Sequence, residues 1–398
     1  MIDVHAARHD PERFRAALAR RGAAEAFDAL MSADARWREI VPQVDELRAQ
    51  QKLQGKPTPE QLDELKARKA RLSELEAELA AAEAGRDAAL AKVPNPPHES
   101  AADGMTEEEG VEIKRWGEPP QLAEPKEHTE IGRFELERAA KVSGSRFGFI
   151  VGDTALVALA LYRFALDRLQ REGFTTVIPP VLVREDAMYG TGFFPSDKGD
   201  YYEIAADGLY LVGTSEVPLV AMHMDEILDA LPIRYCAFSS CFRRESGAAG
   251  RDTRGMFRLH QFQKVEMVVY TEPEKSWDEH ERMLAIEESL MQELGIPYRV
   301  VNTAAGDLST AAAKRYDIEG WFPSQDRYRE LTSCSNTTDY QARRSKIRFR
   351  AGEKALETPH TLNGTAVTDR WLLALLENFQ GDVPDALQRF GAPARVGK

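Results

Sequence analysis

The sequence predicts an α+β fold: an antiparallel β-sheet flanked by helices, with a separate antiparallel pair of long helices in front of it. The N-terminal quarter repeats apolar residues every three to four positions, as helices do. A segment rich in proline and acidic residues, 93–110, follows it and is typical of a linker. Downstream, strand and helix patterns lack the regular alternation of a parallel sheet, which favours antiparallel pairing.

Composition excludes several classes of protein. The 398 residues, 43% of them hydrophobic, are enough for more than one domain. No apolar run is long enough to cross a bilayer, and the start "MIDVHAARHD" lacks a signal peptide. The three cysteines form no CxxC pair, so we expect a reduced cytoplasmic protein without structural zinc and without a membrane partner.

The first element is a helical hairpin predicted over about residues 27–92, inside an N-terminal domain of residues 1–105. Its seam is formed by apolar residues at coiled-coil spacing: Leu30, Ala33, Trp37, Ile40, Val44, Leu47, Leu65, Leu72, Leu75, Leu79, Ala82 and Ala89. The segment "QGKPTPEQ" breaks the helix and caps a new one. Pro42 is expected to kink the first helix.

The end of this hairpin is basic although the chain is acidic. Between Glu46 and Leu72 the local net charge is +3, against -13 for the whole chain. The basic residues are Arg48, Lys52, Lys56, Lys66, Arg68, Lys69 and Arg71. A solvated helix surface explains such a run, and so does an arm whose tip contacts phosphates.

The second domain, residues 106–398, carries the strand patterns. Helices are predicted for "DTALVALALYRFALDRLQREGF" and "DRWLLALLENFQ", and strands for "TTVIPPVLV", "LYLVG", "FRLHQFQKVEMVVY" and "YRELTSCSN". The first strand should end at the double proline Pro179-Pro180.

A charged hairpin, Phe242–Met267, is the main candidate for a site. Alternation along a strand would place Arg243 and Glu245 on one face. On the second strand it would group Arg258, His260, Phe262, Lys264 and Glu266. Arginines clamp phosphates, an aromatic ring stacks on a base and a carboxylate holds an ammonium group. The set therefore suits a nucleotide together with an amino acid, although a salt-bridged surface hairpin is the alternative.

Three shorter stretches add polar groups. "GTSEV" places Thr214 and Glu216 at a strand end, and "RELTSCSN" places Glu330 and Ser333 as oxygen ligands for Mg²⁺. "TLNGTAVTDRW" is expected to bring Asn363, Thr365 and Arg370 to the start of a helix. Each alone also fits a turn or an ordinary surface. No P-loop pattern is present.

Taken together these motifs closely resemble those of class II aminoacyl-tRNA synthetases, in the bacterial form of seryl-tRNA synthetase. "FRRESG" with "GRDTRGMFRLHQFQKVEM" resembles motif 2 (about residues 238–270), and "GTSEV" resembles the TxE loop. "YRELTSCSNTTDYQARR" and "TLNGTAVTDRWLLALLENFQ" look like the remaining ATP segment and motif 3 (about 360–380). The helix before "VIPP" fits motif 1 (about 155–180), and the hairpin resembles the tRNA-binding arm.

The resemblance implies ATP-dependent activation of L-serine to seryl-adenylate, with Mg²⁺, and transfer of serine to the 3′ end of tRNA. By the family's pattern the catalytic residues are Arg243, Glu245, Arg258 and Arg370. The implied serine pocket comprises Thr214, Ser215, Glu216, Arg243, Glu266, Asn363 and Thr365. The implied ATP site comprises Arg243, Arg244, Glu245, Arg258, Leu259, Phe262, Glu330, Leu331, Thr332, Ser333 and Arg370, with Glu330 and Ser333 as metal ligands. Which pocket carboxylate takes the ammonium and which the hydroxyl stays open.

The implied partners are tRNA(Ser), contacted by the seven basic residues of the arm, and a second copy of the chain. Whether tRNA(Sec) is also charged stays open. Arg244, Ser246 and a short motif 3 depart from the commoner family pattern, and Pro42 puts a straight arm in doubt. Two alternatives remain at this point: a serine-activating paralogue with a resistance role, and a catalytically inactive RNA-binding homologue. The second predicts broken motifs, yet Arg243, Glu266, Glu330 and Arg370 are present.

Overall fold

The computed structural model describes residues 1–50, 59–246, 255–352 and 355–397, without the side chains of residues 59–63 and 65. The chain forms two compact units, Met1–Pro96 and Pro97–Lys398. The linker composition had predicted a boundary near residue 105.

The N-terminal unit is helical. Its helices are α1 (Val4–His9), α2 (Pro11–Ala19), α3 (Ala24–Gln50) and α4 (Pro59–Lys92). Ile40 and Val44 of α3 are buried against Leu72 and Leu75 of α4, so the predicted pairing of the two helices is confirmed and its apolar seam is confirmed at these residues. Pro42 lies inside α3, which continues through it to Gln50. The predicted turn, with Gly55, Pro57 and Thr58, lies outside the described residues.

The second unit contains nine further helices within the described residues: α5 (His128–Ile131), α6 (Leu136–Ser143), α7 (Asp153–Arg171), α8 (Glu185–Thr191), α9 (Glu216–Ala221), α10 (Ser276–Leu294), α11 (Tyr340–Arg344), α12 (Asp369–Phe379) and α13 (Asp385–Gln388). Its described strands are β1 (Val111–Trp116), β2 (Phe134–Glu135), β3 (Phe149–Ile150), β4 (Thr175–Val177), β5 (Leu182–Arg184), β6 (Glu203–Ile204), β7 (Leu209–Leu211), β8 (Ile227–Leu228), β9 (Ile233–Phe242), β10 (Gln261–Thr271), β11 (Tyr298–Asn302), β12 (Lys314–Phe322), β13 (Arg327–Asn336), β14 (Arg348–Arg350), β15 (Leu356–Glu357) and β16 (His360–Thr368).

The main sheet has the strand order β1-β11-β12-β13-β16-β10-β9-β4. Its neighbours are antiparallel except β4 and β9, which run parallel. Helices α7, α10 and α12 share one apolar core with the sheet, for example through Leu161, Leu290 and Trp371. The predicted α+β class is confirmed, and so are the helices α7 and α12.

The charged hairpin is shorter than predicted. Strand β9 ends at Phe242 and β10 begins at Gln261, so Arg243, Glu245, Arg258 and His260 lie outside the strands. The backbone N–H groups near these ends leave the ladder: that of Arg244 donates to Asp200 O (2.9 Å), and that of His260 donates to Arg146 O (2.9 Å). The prediction that these four residues belong to the strands was therefore wrong, although Arg243, Glu245 and Arg258 still line one cavity with Phe262, Lys264 and Glu266.

Two further placements also differ. Asn363 and Thr365 lie within β16, and of the motif 3 residues only Arg370 lies in the first turn of α12. Thr214 precedes α9, and Glu216 is its first residue, so "SEV" opens a helix instead of ending a strand. In the described part of the chain no helix is both long and apolar enough to span a membrane.

Candidate active site

One cavity of ≈ 230 Å³ opens over β10, β13 and β16. It gathers most of the predicted site residues: Thr214, Glu216, Arg243, Glu245, Arg258, Leu259, Phe262, Glu266, Glu330, Leu331, Thr332, Ser333, Asn363, Thr365 and Arg370. Two predicted residues do not line it. Ser215 is buried and its hydroxyl has no hydrogen-bond partner among the described residues. The Arg244 guanidinium lies 5.9 Å from the ring of Tyr202.

At one end of the cavity, here named the serine end, Glu216 is buried among amides. Its Oε1 accepts hydrogen bonds from Gln341 Nε2 (2.7 Å) and Asn363 Nδ2 (3.0 Å). The backbone N–H of Glu216 donates to the hydroxyl of Thr214 (3.1 Å), which anchors the start of α9. Burial, and then the neighbouring Glu266, raise the pKa of Glu216 to about 7.

The second carboxylate of the serine end, Glu266, is paired with a cation. Residues 264 and 266 alternate onto one face of β10, and the buried Lys264 ammonium forms an ion pair with Glu266 Oε2. The Thr365 hydroxyl donates to the same oxygen (3.2 Å). Burial raises the pKa of Glu266, while Lys264 opposes that shift. Two carboxylates a short distance apart thus differ in their counter-charge.

Arg243 lies between the two ends of the cavity. Its Nε donates to Gly213 O (3.3 Å), and its guanidinium lies 5.3 Å from the Phe262 ring centroid. The Arg243 backbone N–H donates to His260 O (2.9 Å), so the residue keeps a defined place beyond the strand end. Its positive charge lowers the pKa of carboxyl groups at both ends, Glu216 and Glu330 among them.

The other end, here named the nucleotide end, consists of arginine–carboxylate pairs. Arg258 Nε donates to Glu245 Oε2, and Arg370 Nη1 donates to Glu330 Oε2 (3.1 Å). Glu245 has a φ of 55°, in the left-handed region, and its side chain lines the cavity. Burial acts to raise the pKa of Glu330, but Arg370 and Arg315 outweigh it and hold that pKa below its ordinary value.

A β-bulge brings the two predicted metal ligands together. On β13, Glu330 pairs with Glu319 and Thr332 pairs with Ile318, so Leu331 is an extra residue opposite no partner. Without this extra residue, Glu330 and Ser333 would point to opposite faces, since their sequence separation is odd. With it, both line the cavity. A half-exposed carboxylate and a hydroxyl beside a phosphate-sized space fit Mg²⁺ chemically.

The protein itself supplies few ligands for such an ion. No cluster of three or more His, Cys, Asp or Glu side chains able to hold a metal exists in residues 1–50, 59–246, 255–352 and 355–397. Most ligands of an Mg²⁺ ion here would have to be phosphate oxygens and water.

Sequence reasoning missed several side chains of the site. Lys264 was placed on the correct face but was given no partner. Gln341 lies inside the quoted "DYQARR", yet nothing in its local pattern links it to Glu216. The loops 191–193 and 309–311 also line the cavity and carry no motif signal.

The basic residues of the arm are partly neutralised. Arg48 pairs with Glu76 (2.9 Å), Arg71 with Glu74 (3.1 Å) and Arg68 with Glu64 (3.7 Å). Exposed pairs of this kind contribute about 0–1 kcal/mol, so they hold these side chains only weakly. Lys66 and Lys69 are exposed, and Lys52 and Lys56 lie outside the described residues.

Comparison with known proteins identifies both units. The model of the family described as seryl-tRNA synthetase N-terminal domain matches residues 1–97. That of the tRNA synthetase class II core domain (G, H, P, S and T) matches residues 202–379. The chain is 46% identical to the serine--tRNA ligase of Thermobifida fusca over 98% of this chain and 97% of that relative. It is 47% identical to that of Nocardia farcinica over 96% and 94%.

Solved structures agree. Seryl-tRNA synthetase from Pyrococcus horikoshii, complexed with ATP, superposes with a TM-score of 0.93 at 38% identity and covers 100% of both chains. The cytoplasmic serine-tRNA ligase from Naegleria fowleri, in complex with AMP, superposes with a TM-score of 0.87 at 32% identity over 97% and 95%.

Proposed function

The chain belongs to the seryl-tRNA synthetase family of class II and catalyses ATP-dependent activation of serine and its transfer to tRNA, and from this premise we propose how its residues divide the work. In the first step a serine carboxylate oxygen attacks the α-phosphorus of ATP. The bond to the bridging oxygen breaks, and pyrophosphate leaves. In the second step a ribose hydroxyl at the 3′ end of the tRNA attacks the seryl carbonyl, and AMP leaves.

The two carboxylates of the serine end bind different groups of serine. Glu266 already faces the Lys264 ammonium, so a second cation gains less there than at Glu216. Glu216 accepts hydrogen bonds only from neutral amides among its described partners. Glu216 therefore takes the serine ammonium, and Glu266, with Thr365, accepts or relays the hydrogen bond of the serine hydroxyl. The remaining members of this pocket are Thr214 and Asn363, whereas Ser215, also predicted for it, does not line the cavity.

A pocket built in this way rejects alanine. Alanine lacks the hydroxyl, so Glu266 would stay desolvated with one partner fewer. Threonine keeps the hydroxyl and adds a methyl group, and its exclusion depends on the cavity walls.

Arg243 binds the groups that react. It neutralises the serine carboxylate and the α-phosphate, which otherwise repel each other as they approach. Phe262 stacks on adenine, beside the backbone of Leu259. This proposal is supported by the position of Arg243 between the two carboxylate clusters and 5.3 Å from the Phe262 ring.

At the nucleotide end, the phosphates of ATP replace the carboxylates as partners of the arginines. Arg258 leaves Glu245, and Arg370 leaves Glu330, when the phosphates arrive. The arginines then keep a counter-charge in both states, which avoids an unpaired guanidinium group in a partly buried site. Leu331 and Thr332 complete this end, whereas Arg244, also predicted for it, does not line the cavity. Glu330 and Ser333 would hold Mg²⁺, which screens the charge that grows on pyrophosphate as it leaves.

We also propose that the arm binds the tRNA(Ser) backbone and that the enzyme is a cytoplasmic homodimer. Exposed apolar residues on and after α7, namely Leu156, Leu159 and Ile178, support a dimer surface. The three cysteines are free and buried, in keeping with a reducing compartment. Intact arginines and carboxylates in the cavity disfavour an inactive homologue. A resistance paralogue would differ in its sensitivity to serine-mimicking inhibitors.

The test is ATP–pyrophosphate exchange with serine, threonine, alanine and glycine in parallel. Serine-dependent exchange should be at least about 100-fold above that with alanine, because the pocket leaves a buried group unpaired without the hydroxyl. Arg243→Ala should abolish it. Arg350→Ala removes an equally large cation from the exposed strand β14 and should leave it unchanged. Absence of exchange with every amino acid from the folded wild-type protein would contradict the proposal.

The arm is tested separately. The triple variant Lys66→Ala, Lys69→Ala, Arg71→Ala should keep wild-type pyrophosphate exchange but raise the KM for tRNA(Ser). The salt dependence of tRNA binding should flatten by up to about 0.9 in log–log slope for each lost phosphate contact. Arg36→Ala, an exposed change elsewhere on α3, is the matched control. An unchanged KM and slope would assign these charges to ordinary solvation.

A further inference from the structure

The short helix α11 carries a buried amide that contacts the serine end from behind. Gln341 is fully buried and does not line the cavity. It lies 125 residues from Glu216 in the sequence, yet its Nε2 donates to Glu216 Oε1 at 2.7 Å. A buried amide in contact with a buried carboxylate is a strong interaction, because little water is available to replace it.

The orientation of this amide is determined by its other partners. Nε2 also donates to the Thr191 carbonyl oxygen (3.0 Å), which can only accept. Oε1 accepts from the hydroxyls of Thr361 (2.9 Å) and Thr337 (3.2 Å). All four hydrogen-bonding sites of the amide are therefore used, and a flipped amide would bring its oxygen against the Thr191 carbonyl and the Glu216 carboxylate.

The consequence concerns the two oxygens of Glu216. Gln341 and Asn363 both donate to Oε1, so this oxygen is saturated on the protein side. The carboxylate plane is then held, and Oε2 is the oxygen left to receive a ligand. An isolated first-turn glutamate would instead sample several rotamers, which would cost affinity when a substrate orders it.

The same helix also supports the neighbouring cavity wall. Arg344 Nη1 donates to Tyr189 O (3.1 Å) and Phe194 O (2.8 Å), on either side of the loop 191–193. One turn of helix thus holds both a ligand carboxylate and the loop that closes the pocket beside it.

We propose that Gln341 is the positioning residue for serine recognition: its amide aims Glu216 at the substrate ammonium and sets the affinity for serine without touching it. This inference rests on the proposed role of Glu216. It distinguishes the serine end from the nucleotide end, where Gln341 makes no contact in the described part of the chain.

The hydrogen bond also affects when Glu216 is charged. The groups that face this carboxyl are Glu266, Lys264, Arg243 and Tyr201. Burial and Glu266 raise the pKa of Glu216, and the hydrogen bond from Gln341 opposes that rise by stabilising the charged carboxylate. Loss of the amide donor should therefore raise this pKa further and weaken ammonium binding near neutral pH.

The decisive variant is Gln341→Met, which keeps the length and volume of the side chain but removes all four hydrogen bonds. In pyrophosphate exchange we expect the KM for serine to rise about tenfold or more, as for a lost hydrogen bond to a charged group, with the KM for ATP within twofold. The acidic limb of the pH profile for serine should move to higher pH. Gln388→Met, the same change in α13 remote from the cavity, should alter none of these values.

A second variant, Gln341→Glu, keeps the inference testable if Gln341→Met does not fold. Its carboxyl group is isosteric and, when it shares a proton with Glu216, still donates one hydrogen bond to it. We expect more activity than for Gln341→Met at pH 6.5 and a loss as that proton leaves at higher pH. An unchanged KM for serine in folded variants, or an equal rise of both KM values, would overturn the inference. Wild-type protein without serine-dependent exchange would instead overturn the proposed function.

Discussion

The two ends of the cavity differ in how far their carboxylates are exposed to water and in the partners that hold them. At the serine end Glu266 is 1% exposed, and its partners are a buried lysine and a threonine hydroxyl. At the nucleotide end Glu330 is 47% exposed, and its partner Arg370 is 29% exposed. The serine end is dry and holds a buried ion pair and hydrogen bonds, whereas the Arg370–Glu330 pair at the nucleotide end is exposed enough for water to loosen it.

The difference follows from the two ligands. Serine differs from alanine by one hydroxyl, and only a desolvated, fixed partner converts that difference into a large free-energy gap. ATP carries several negative charges, so a few arginines are enough to bind it tightly. In the ligand-free enzyme these arginines need carboxylates as counter-ions. We therefore propose that specificity for serine depends on buried geometry and that affinity for ATP depends on exchangeable ion pairs.

The largest test of this contrast removes the charge of Glu266. Glu266→Gln leaves Lys264 buried without its counter-ion, and it weakens the partner of the serine hydroxyl. We expect kcat/KM for serine to fall about 1,000-fold and the melting temperature to fall as well, since breaking a buried pair costs about 3–5 kcal/mol.

The double variant Lys264→Met, Glu266→Gln separates the two effects. It removes the orphaned charge, so the melting temperature should recover while the activity with serine does not. Recovery of activity in the double variant would mean that Glu266 has only a structural role.

The corresponding change at the nucleotide end should be smaller and have a different signature. Arg370→Ala should lower kcat/KM for ATP about 100-fold, the usual scale for one charge-stabilising donor. The melting temperature should stay close to wild type because Glu330 is half exposed and can be hydrated. Arg350→Ala is the control. A large fall of the melting temperature in Arg370→Ala but not in Arg350→Ala would show that the Arg370–Glu330 pair is not accessible to water.

A third test uses pH. The pKa of Glu216 is raised to about 7, so this carboxyl is protonated below that pH and charged above it. We expect kcat/KM for serine to fall up to about tenfold per pH unit as the pH drops below 7, because ammonium binding needs the carboxylate. The pKa of Glu330 is lowered, so kcat/KM for ATP at saturating serine should lack this limb. A common limb in both profiles would show that the two ends are not electrostatically distinct.

The smallest expected effect comes from Thr365→Val, which removes one hydroxyl from the serine end. The hydrogen bond to Glu266 is long, at 3.2 Å, and Lys264 remains. We expect kcat/KM for serine to fall about fivefold, equivalent to about 1 kcal/mol, with the KM for ATP unchanged. Pyrophosphate exchange with both substrates varied measures this, and a rise in the KM for ATP would indicate that the ends are coupled.

The gathering of Arg243, Glu266, Glu330 and Arg370 in one cavity could be predicted because each lies in a motif long enough to be specific. The faces on which some of them lie could not. Arg243 and Arg258 lie outside β9 and β10, and the N–H groups of Arg244 and His260 bond outside the ladder. Glu330 and Ser333 reach the same side only through the extra residue Leu331.

By itself, the sequence determined the helical hairpin, the α+β class and the residue types of the site. These depend on short-range periodicity, in which neighbours three, four or two positions apart share a face. Only the tertiary structure decided which carboxylate has a lysine beside it and which has amides. The physical reason is that Gln341 and Glu216 are 125 residues apart in the sequence, so no local pattern relates them. Burial then strengthens their hydrogen bond, because the surroundings have a low dielectric constant.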